Sequence, residues 1–292
     1  MDSQQRIRYT KCSFTKTVDP TKMPRTISAL ISTLCVVTAL MLAPLSAAAR
    51  PDMVTVRPAP NVVVALPAMT GSFARCAETF AHGNLPTFPG IETLAARALC
   101  FDGFAVLHSG VTKTPLYVAE VLNRARLEAA RGEQRTDVFF ADARLPARER
   151  ATLGDYRGSG YDRGHMAPAA NMASPEGMAQ SFSLANIVPQ APENNRGAWA
   201  EIETATRRYI SRAQGDVFVI TGPVFSGPAK TIGAGVRVPS HLFKLVYDPS
   251  TRRAWAHWTE NTNDARIGRP ISYQELVSRT GVDWLPGVNP LQ

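Results

Sequence analysis

The chain has 292 residues, of which 45% are apolar and 19% charged, with a formal charge of +8 at pH 7. That apolar content supports a sizeable core and excludes a disordered chain, and the length allows one large domain or two small ones. Residues 1–49 hold six Lys/Arg against two Asp, so the excess falls from +8 to +4 without them, and net charge alone is weak support for an acidic partner.

Basic residues as far as Arg25, an apolar stretch from Ile27 to Leu42 and small residues from Ser46 to Ala49 read as an export leader over residues 1–49, with cleavage after Ala47 or Ala49. The basic lead is long for a signal peptide, and Met23 offers a later start with the short lead Met-Pro-Arg. A retained membrane anchor is the rival reading of Ile27–Leu42. A cleaved leader would place the mature chain in the periplasm or outside the cell, with no stable membrane association. Residues 50–70, rich in Pro and Val and without helical periodicity, read as an extended linker, leaving 71–292 as one domain. Cys12 and Cys35 leave with the leader. In an oxidising compartment the remaining Cys76 and Cys100 most simply form one disulfide, and two buried free thiols are the alternative.

Along the domain, Phe101–Gly110 and Pro115–Leu122 have the β-branched and aromatic content of strands, with a turn at Ser109 and Gly110. A polar stretch, 123–134, leads into a long loop that reaches Tyr161 and carries Pro146, Gly154, Gly158 and Gly160; such loops are commonly functional. Pro175–Ala185 reads as a short helix, Asn186–Gln190 as extended chain, and Gly197–Arg212 as a helix. Asp216–Phe225 reads as a buried strand, and His241–Asp248 with Arg253–Asn261 as a strand pair around Pro249. These ingredients predict an α+β fold with a central antiparallel sheet flanked by helices.

Two clusters carry chemistry. In Ser159–Met172, SGYDRGHMAPAANM, Arg163 and His165 lie two apart, so extended chain places both on one face, and Gly164 lets the backbone bend between them. A histidine that takes a proton near neutrality, beside an arginine that binds an anion, suits phosphate chemistry. In Glu193–Glu203, ENNRGAWAEIE, a helix puts Asn195, Trp199 and Glu203 at intervals of four, roughly on one side. An amide oxygen and a carboxylate there suit hydrated Mg²⁺, which needs only one or two protein oxygens. The bland readings are a surface His165, an Asn195 that only caps its helix, an exposed Glu203–Arg207 pair, and Trp199 in the core.

YDRGHMAPAANM, SFSLANIVPQAPENNRGAWAEIE and VFVITGPVF together resemble the DNA/RNA non-specific endonuclease family of ββα-metal, His-Me finger nucleases, over about Cys76 to Trp284. The resemblance implies a Mg²⁺-dependent endonuclease acting on DNA and RNA without sugar preference, with Mn²⁺ able to substitute, and the leader adds that it is exported. It implies His165 as general base, Asn195 as direct metal ligand and Glu203 as holder of metal waters. Arg163 would contact phosphate, and Asn186, in ANI where the family has SNI, would support the site. A second phosphate-binding arginine is expected upstream; Arg135 in GEQRTD is the candidate, with Arg131 and Arg144 as alternatives. Where the family often has Asn-Gln-Gly this chain has Asn195-Arg196-Gly197, which makes Arg196 a further phosphate contact or an exposed side chain. A nucleic-acid-binding protein with a dead site, and a phosphodiesterase for small nucleotides, are the competing functions.

Overall fold

The computed structural model describes residues 69–291; the leader expected over 1–49, the start at Met23 and the linker as far as residue 68 lie outside the described residues. In chain order the strands are β1 Met69–Thr70, β2 Ala96–Cys100, β3 Ala105–Ser109, β4 Thr114–Leu122, β5 Asp162–His165, β6 Ile187–Gln190, β7 Val217–Val224, β8 Thr231–Ile232, β9 Val236–Arg237, β10 His241–Asp248, β11 Arg253–Glu260 and β12 Ile271–Ser272. The helices are α1 Arg124–Ala130, α2 Leu153–Tyr156, α3 Pro175–Ser181, α4 Pro192–Asn194, α5 Ala200–Ile210 and α6 Tyr273–Thr280.

Eight strands form one sheet in the order β1-β2-β3-β4-β7-β10-β11-β12. Every neighbouring pair is antiparallel except β1 with β2, where Met69 and Thr70, at the end of the stretch read as linker, pair with Ala96 and Arg97. The turn expected at Ser109 and Gly110 closes β3 onto β4: the Lys113 amide donates to the Ser109 carbonyl at 2.8 Å, and Ser109 Oγ accepts from the Thr112 amide at 3.1 Å. The fold is the expected α+β sheet with flanking helices. No helix among the described residues is long and apolar enough to cross a membrane.

Strand alternation divides the core between the two faces of the sheet. Tyr117, Phe243 and Leu245 point to one face, where they pack with Phe73, Phe80, Leu276 of α6 and Trp284. Val118 and Leu242 point to the other, against Met166, Phe182, Val188 and Trp199. The same alternation sends Glu120 of β4 and Lys244 of β10 to the second face, where each is only 1% exposed.

Cys76 and Cys100 are joined as a disulfide with Cα atoms 5.8 Å apart, tying the segment before β2 to the end of that strand. Its sequence separation of 24 gives about 3 kcal/mol on the chain-entropy model. Reduction is expected to lower the melting temperature while leaving cleavage chemistry intact. Intact mass after alkylation of unreduced protein checks this, and two alkylated thiols would refute the bond.

Three local expectations change. The polar stretch after β4 contains α1, because Asn123 accepts from the Arg126 amide at 2.9 Å and caps that helix. The helix expected from Gly197 begins earlier, at Pro192, whose missing N–H costs nothing in a first turn. The glycine-rich loop around His165 is strand: β5 pairs with β6 from Asp162↔Gln190 to His165↔Ile187.

Candidate active site

The ribbon β5–β6 runs directly into the helical stretch α4–α5, giving a strand-strand-helix unit on the second face of the sheet. Gly164 is required within it, since a Cβ there would meet the buried Gln190 side chain, 2.6 Å from its Cβ. As extended chain dictates, Arg163 and His165 share a face of β5 and meet the same ring. The Arg163 guanidinium lies 4.4 Å from the Phe139 centroid, and the His165 ring lies 5.4 Å from Phe139 and 5.0 Å from Phe182.

Arg135 reaches the same place from the long loop, 4.9 Å over Phe182. Its Nε donates to Asp137 Oδ1 at 2.6 Å. His165 is therefore packed between two aromatic rings, not freely exposed, and its Nε2 is buried without a hydrogen-bond partner. Burial pulls its pKa down to about 3, with the Arg135 and Arg163 charges acting the same way and Asp137 opposing. The imidazole is neutral at pH 7, with a lone pair available for a proton.

The alternatives to Arg135 separate on contacts. Arg144 donates from Nε and Nη2 to the two oxygens of Asp142 at 2.9 and 2.7 Å, and from Nη1 to the Cys100 carbonyl. It also lies over Phe101, so it is structural. Arg131 lines a cavity of about 430 Å³ between α1 and α5, together with Arg135, Arg207 and Arg208. Arg135→Ala is expected to lower kcat/KM about 10- to 100-fold, the loss of one or two charge-assisted hydrogen bonds to substrate. Arg144→Ala instead leaves the Asp142 carboxylate without its cation, held only by the Ser183 hydroxyl and the backbone amide of residue 144, and costs about 1–3 kcal/mol of stability. Steady-state kinetics and thermal melts of the two variants check the division.

Asn186 does not touch the imidazole. It is fully buried, its Oδ1 accepts from the Ala167 amide, and its Nδ2 donates to the Ala167 and Ser181 carbonyls, all at 2.9 Å. These bonds hold the chain leaving β5, so Asn186 is a positioning residue.

Asn195 is not the N-cap of the helix. Ala191 occupies that position, and Asn195 has helical dihedrals inside the stretch. Its Nδ2 donates to Asp162 Oδ2 at 2.9 Å, leaving Oδ1 as a neutral acceptor. Residues Asn195–Trp199 form a π-turn. In an uninterrupted α-helix, residues eight apart are offset by about 80°; the wider π-turn takes up part of that and brings Asn195 and Glu203 toward one side. Trp199, between them in sequence, is buried core as expected.

Glu203 stands over the buried polar pair on the sheet. Lys244 Nζ donates to Thr221 Oγ1 at 2.6 Å and lies 5.4 Å over the Trp199 ring. Glu120 Oε1 accepts from Asn171 Nδ2 at 3.0 Å, and its Oε2 is buried without a partner. Burial pushes the Glu203 pKa up to about 7 against the pull of Lys244 and Arg207, with Glu120 adding to the rise. The exposed ion pair with Arg207 does not form: Arg207 donates to Thr204 Oγ1 at 3.0 Å and to Asn171 Oδ1 at 3.5 Å.

Among the described residues no group of three His, Cys, Asp or Glu is placed to chelate an ion. The donor set fits a hard cation that keeps most of its waters: one neutral amide oxygen at Asn195 and a carboxylate further along the same helical face.

Residues 88–290 match the DNA/RNA non-specific endonuclease family. The chain belongs to that family. All the groups of the site, from Glu120 to Lys244, lie inside the stretch that matches the endonuclease family. The chain is 35% identical over 170 residues to human mitochondrial endonuclease G, covering 54% of this chain and 55% of that one. It is 36% identical over 158 residues to the mitochondrial nuclease 1 of Schizosaccharomyces pombe, covering 49% of each. With a nuclease of Nostoc sp. it shares 33% over 203 residues, 64% of this chain and 72% of that one. The chain spans about half the length of the first two of these relatives. In structure it resembles a chain of an EndoG/EndoGI complex with a TM-score of 0.59 and 25% identity, covering 66% of this chain and 86% of that one.

Two features of this endonuclease-family site were not assigned from sequence. Asp162 stood in the quoted motif without a role, although an acid beside Arg163 and His165 was the available signal. Phe139 and Phe182, which pack His165, carry no sequence signal, because aromatic residues in a loop and after a short helix read equally well as core.

Proposed function

We propose that this chain is an exported, Mg²⁺-dependent endonuclease that hydrolyses phosphodiester bonds of DNA and RNA without sugar preference. The observation that carries the reading is a neutral His165 held against Phe139 and Phe182, the same two rings that Arg163 and Arg135 cover. The His165 imidazole accepts a proton from the attacking water as the new oxygen–phosphorus bond forms and the bond to the departing 3′ oxygen breaks. Arg163 and Arg135 hold the nonbridging oxygens. Asn195 would hold the cation through Oδ1 and Glu203 would hold its waters; when bound, the cation supplies charge stabilisation at the phosphate and leaving oxygen. Contacts that fall on phosphate and not on base edges account for cutting without sequence preference. The Cys76–Cys100 disulfide supports export, since such bonds persist in oxidising compartments.

The test is digestion of plasmid DNA and of RNA with Mg²⁺, Mn²⁺ and EDTA. Cutting of both polymers with either metal, abolished by EDTA, is the expected result. Binding without cutting would make this a dead-site binder, and hydrolysis confined to mononucleotide diesters would make it a small-nucleotide phosphodiesterase.

A further inference from the structure

The position where this chain carries Arg in place of the family's frequent Gln is not merely solvent-exposed. Arg196 donates from Nε to Asp162 Oδ2 at 2.8 Å and from Nη2 to Oδ1 at 2.7 Å. Asp162 Oδ2 is also the atom that accepts from Asn195 Nδ2 at 2.9 Å. The Asp162 side chain is 20% exposed and that of Arg196 is 67% exposed. An exposed ion pair of this kind adds little to stability, so its significance lies in what the carboxylate would otherwise do.

Asp162 adjoins the Asn195 amide, whose Oδ1 is the oxygen offered to a cation. An anionic oxygen is the stronger donor for a hard divalent ion, so an unengaged Asp162 would compete with Asn195 for it. The guanidinium fork takes both oxygens, which turns the carboxylate toward the Asn195 amide and offsets its charge. We propose that Arg196 is a positioning residue: by occupying Asp162 it keeps the divalent cation on Asn195 alone, in a weak and exchangeable site. This inference rests on the metal site of the proposed function.

The experiment is Mn²⁺ titration of the mature protein without nucleic acid, followed by the paramagnetic resonance signal of free Mn²⁺. Arg196→Gln removes one positive charge and frees the carboxylate, so its Mn²⁺ Kd is expected to fall about tenfold, the order expected for one partly screened unit charge. The Mg²⁺ midpoint for cleavage should move the same way. Adding Asp162→Asn to Arg196→Gln should return the Kd to within about threefold of wild type, because no carboxylate is left to capture the ion. An Arg196→Gln protein with unchanged or weaker Mn²⁺ binding overturns the inference. So does a raised KM for DNA with a flatter salt dependence and unchanged Kd, which would make Arg196 a phosphate contact. Asn195→Ala serves as the control: full Mn²⁺ binding there would overturn the metal-site reading itself, whereas lost binding there with no effect of Arg196→Gln sinks this inference alone.

Discussion

His165→Ala is expected to lower the cleavage rate by about 10² to 10⁴, the usual cost of losing a general base. The imidazole packs against Phe139 and Phe182, so truncation also opens space between two rings, and each lost aromatic contact costs about 0.5–1.5 kcal/mol. His165→Gln fills more of that space without supplying the base, and it should be as inactive while melting closer to wild type. A pH series gives a second readout. The folded pKa, about 3, is depressed from the ordinary 6.5. A neutral buried imidazole therefore resists protonation, and the stability it permits is lost as pH falls from about 6.5 toward 3. Both variants should have a shallower decline over that window. Activity within tenfold of wild type in either variant rejects His165 as the base.

Asn195→Ala should nearly eliminate cleavage and Mn²⁺ binding together, since it removes the amide oxygen proposed to hold the cation. Asn195→Asp separates ligation from charge: it can still bind the ion, but it places an anion against Asp162 and the attacked phosphate, so the metal dependence should shift while the rate stays low. Glu203→Ala should be milder, about 10- to 100-fold, because it would act through metal-bound water. Its carboxylate also lies close enough to Lys244 for the two to shift each other's charge, and Lys244 is itself buried. Removing Glu203 should therefore lower stability as well, which Glu203→Gln should do less by keeping the volume. Cleavage rate against Mg²⁺ concentration for the four variants, with thermal melts, decides between a metal site and a helix face. An Asn195→Ala enzyme with unchanged rate and metal midpoint would sink the site at its centre.

Patterns within short windows were legible in the sequence. β-branched and aromatic content placed β4, β10 and β11, Ser109 and Gly110 marked the turn from β3 to β4, and the spacing of Arg163 to His165 put both on one face once the segment was extended. The leading cysteine pairing was legible too, because only Cys76 and Cys100 lie beyond residue 49. Each of these depends on residues near one another or on a count.

What the tertiary structure decided depends on contacts between distant parts of the chain. Asp162 finds Asn195 across 33 residues, a bond that engages Nδ2 and leaves Oδ1 as the acceptor, while the Ala191 cap and the helical dihedrals at Asn195 exclude the N-cap reading. Arg135 and Arg144 are equivalent as letters; one stacks beside His165 and the other is fastened to Asp142 and the Cys100 carbonyl. Glu120 and Lys244 look like solvated polar positions, yet the strand pleat turns both inward to the second face of the sheet. The physical reason is common to all three: pleat, turn and helix periodicity arise from local backbone geometry, whereas the partner of a long polar side chain is set by where the sheet places another segment.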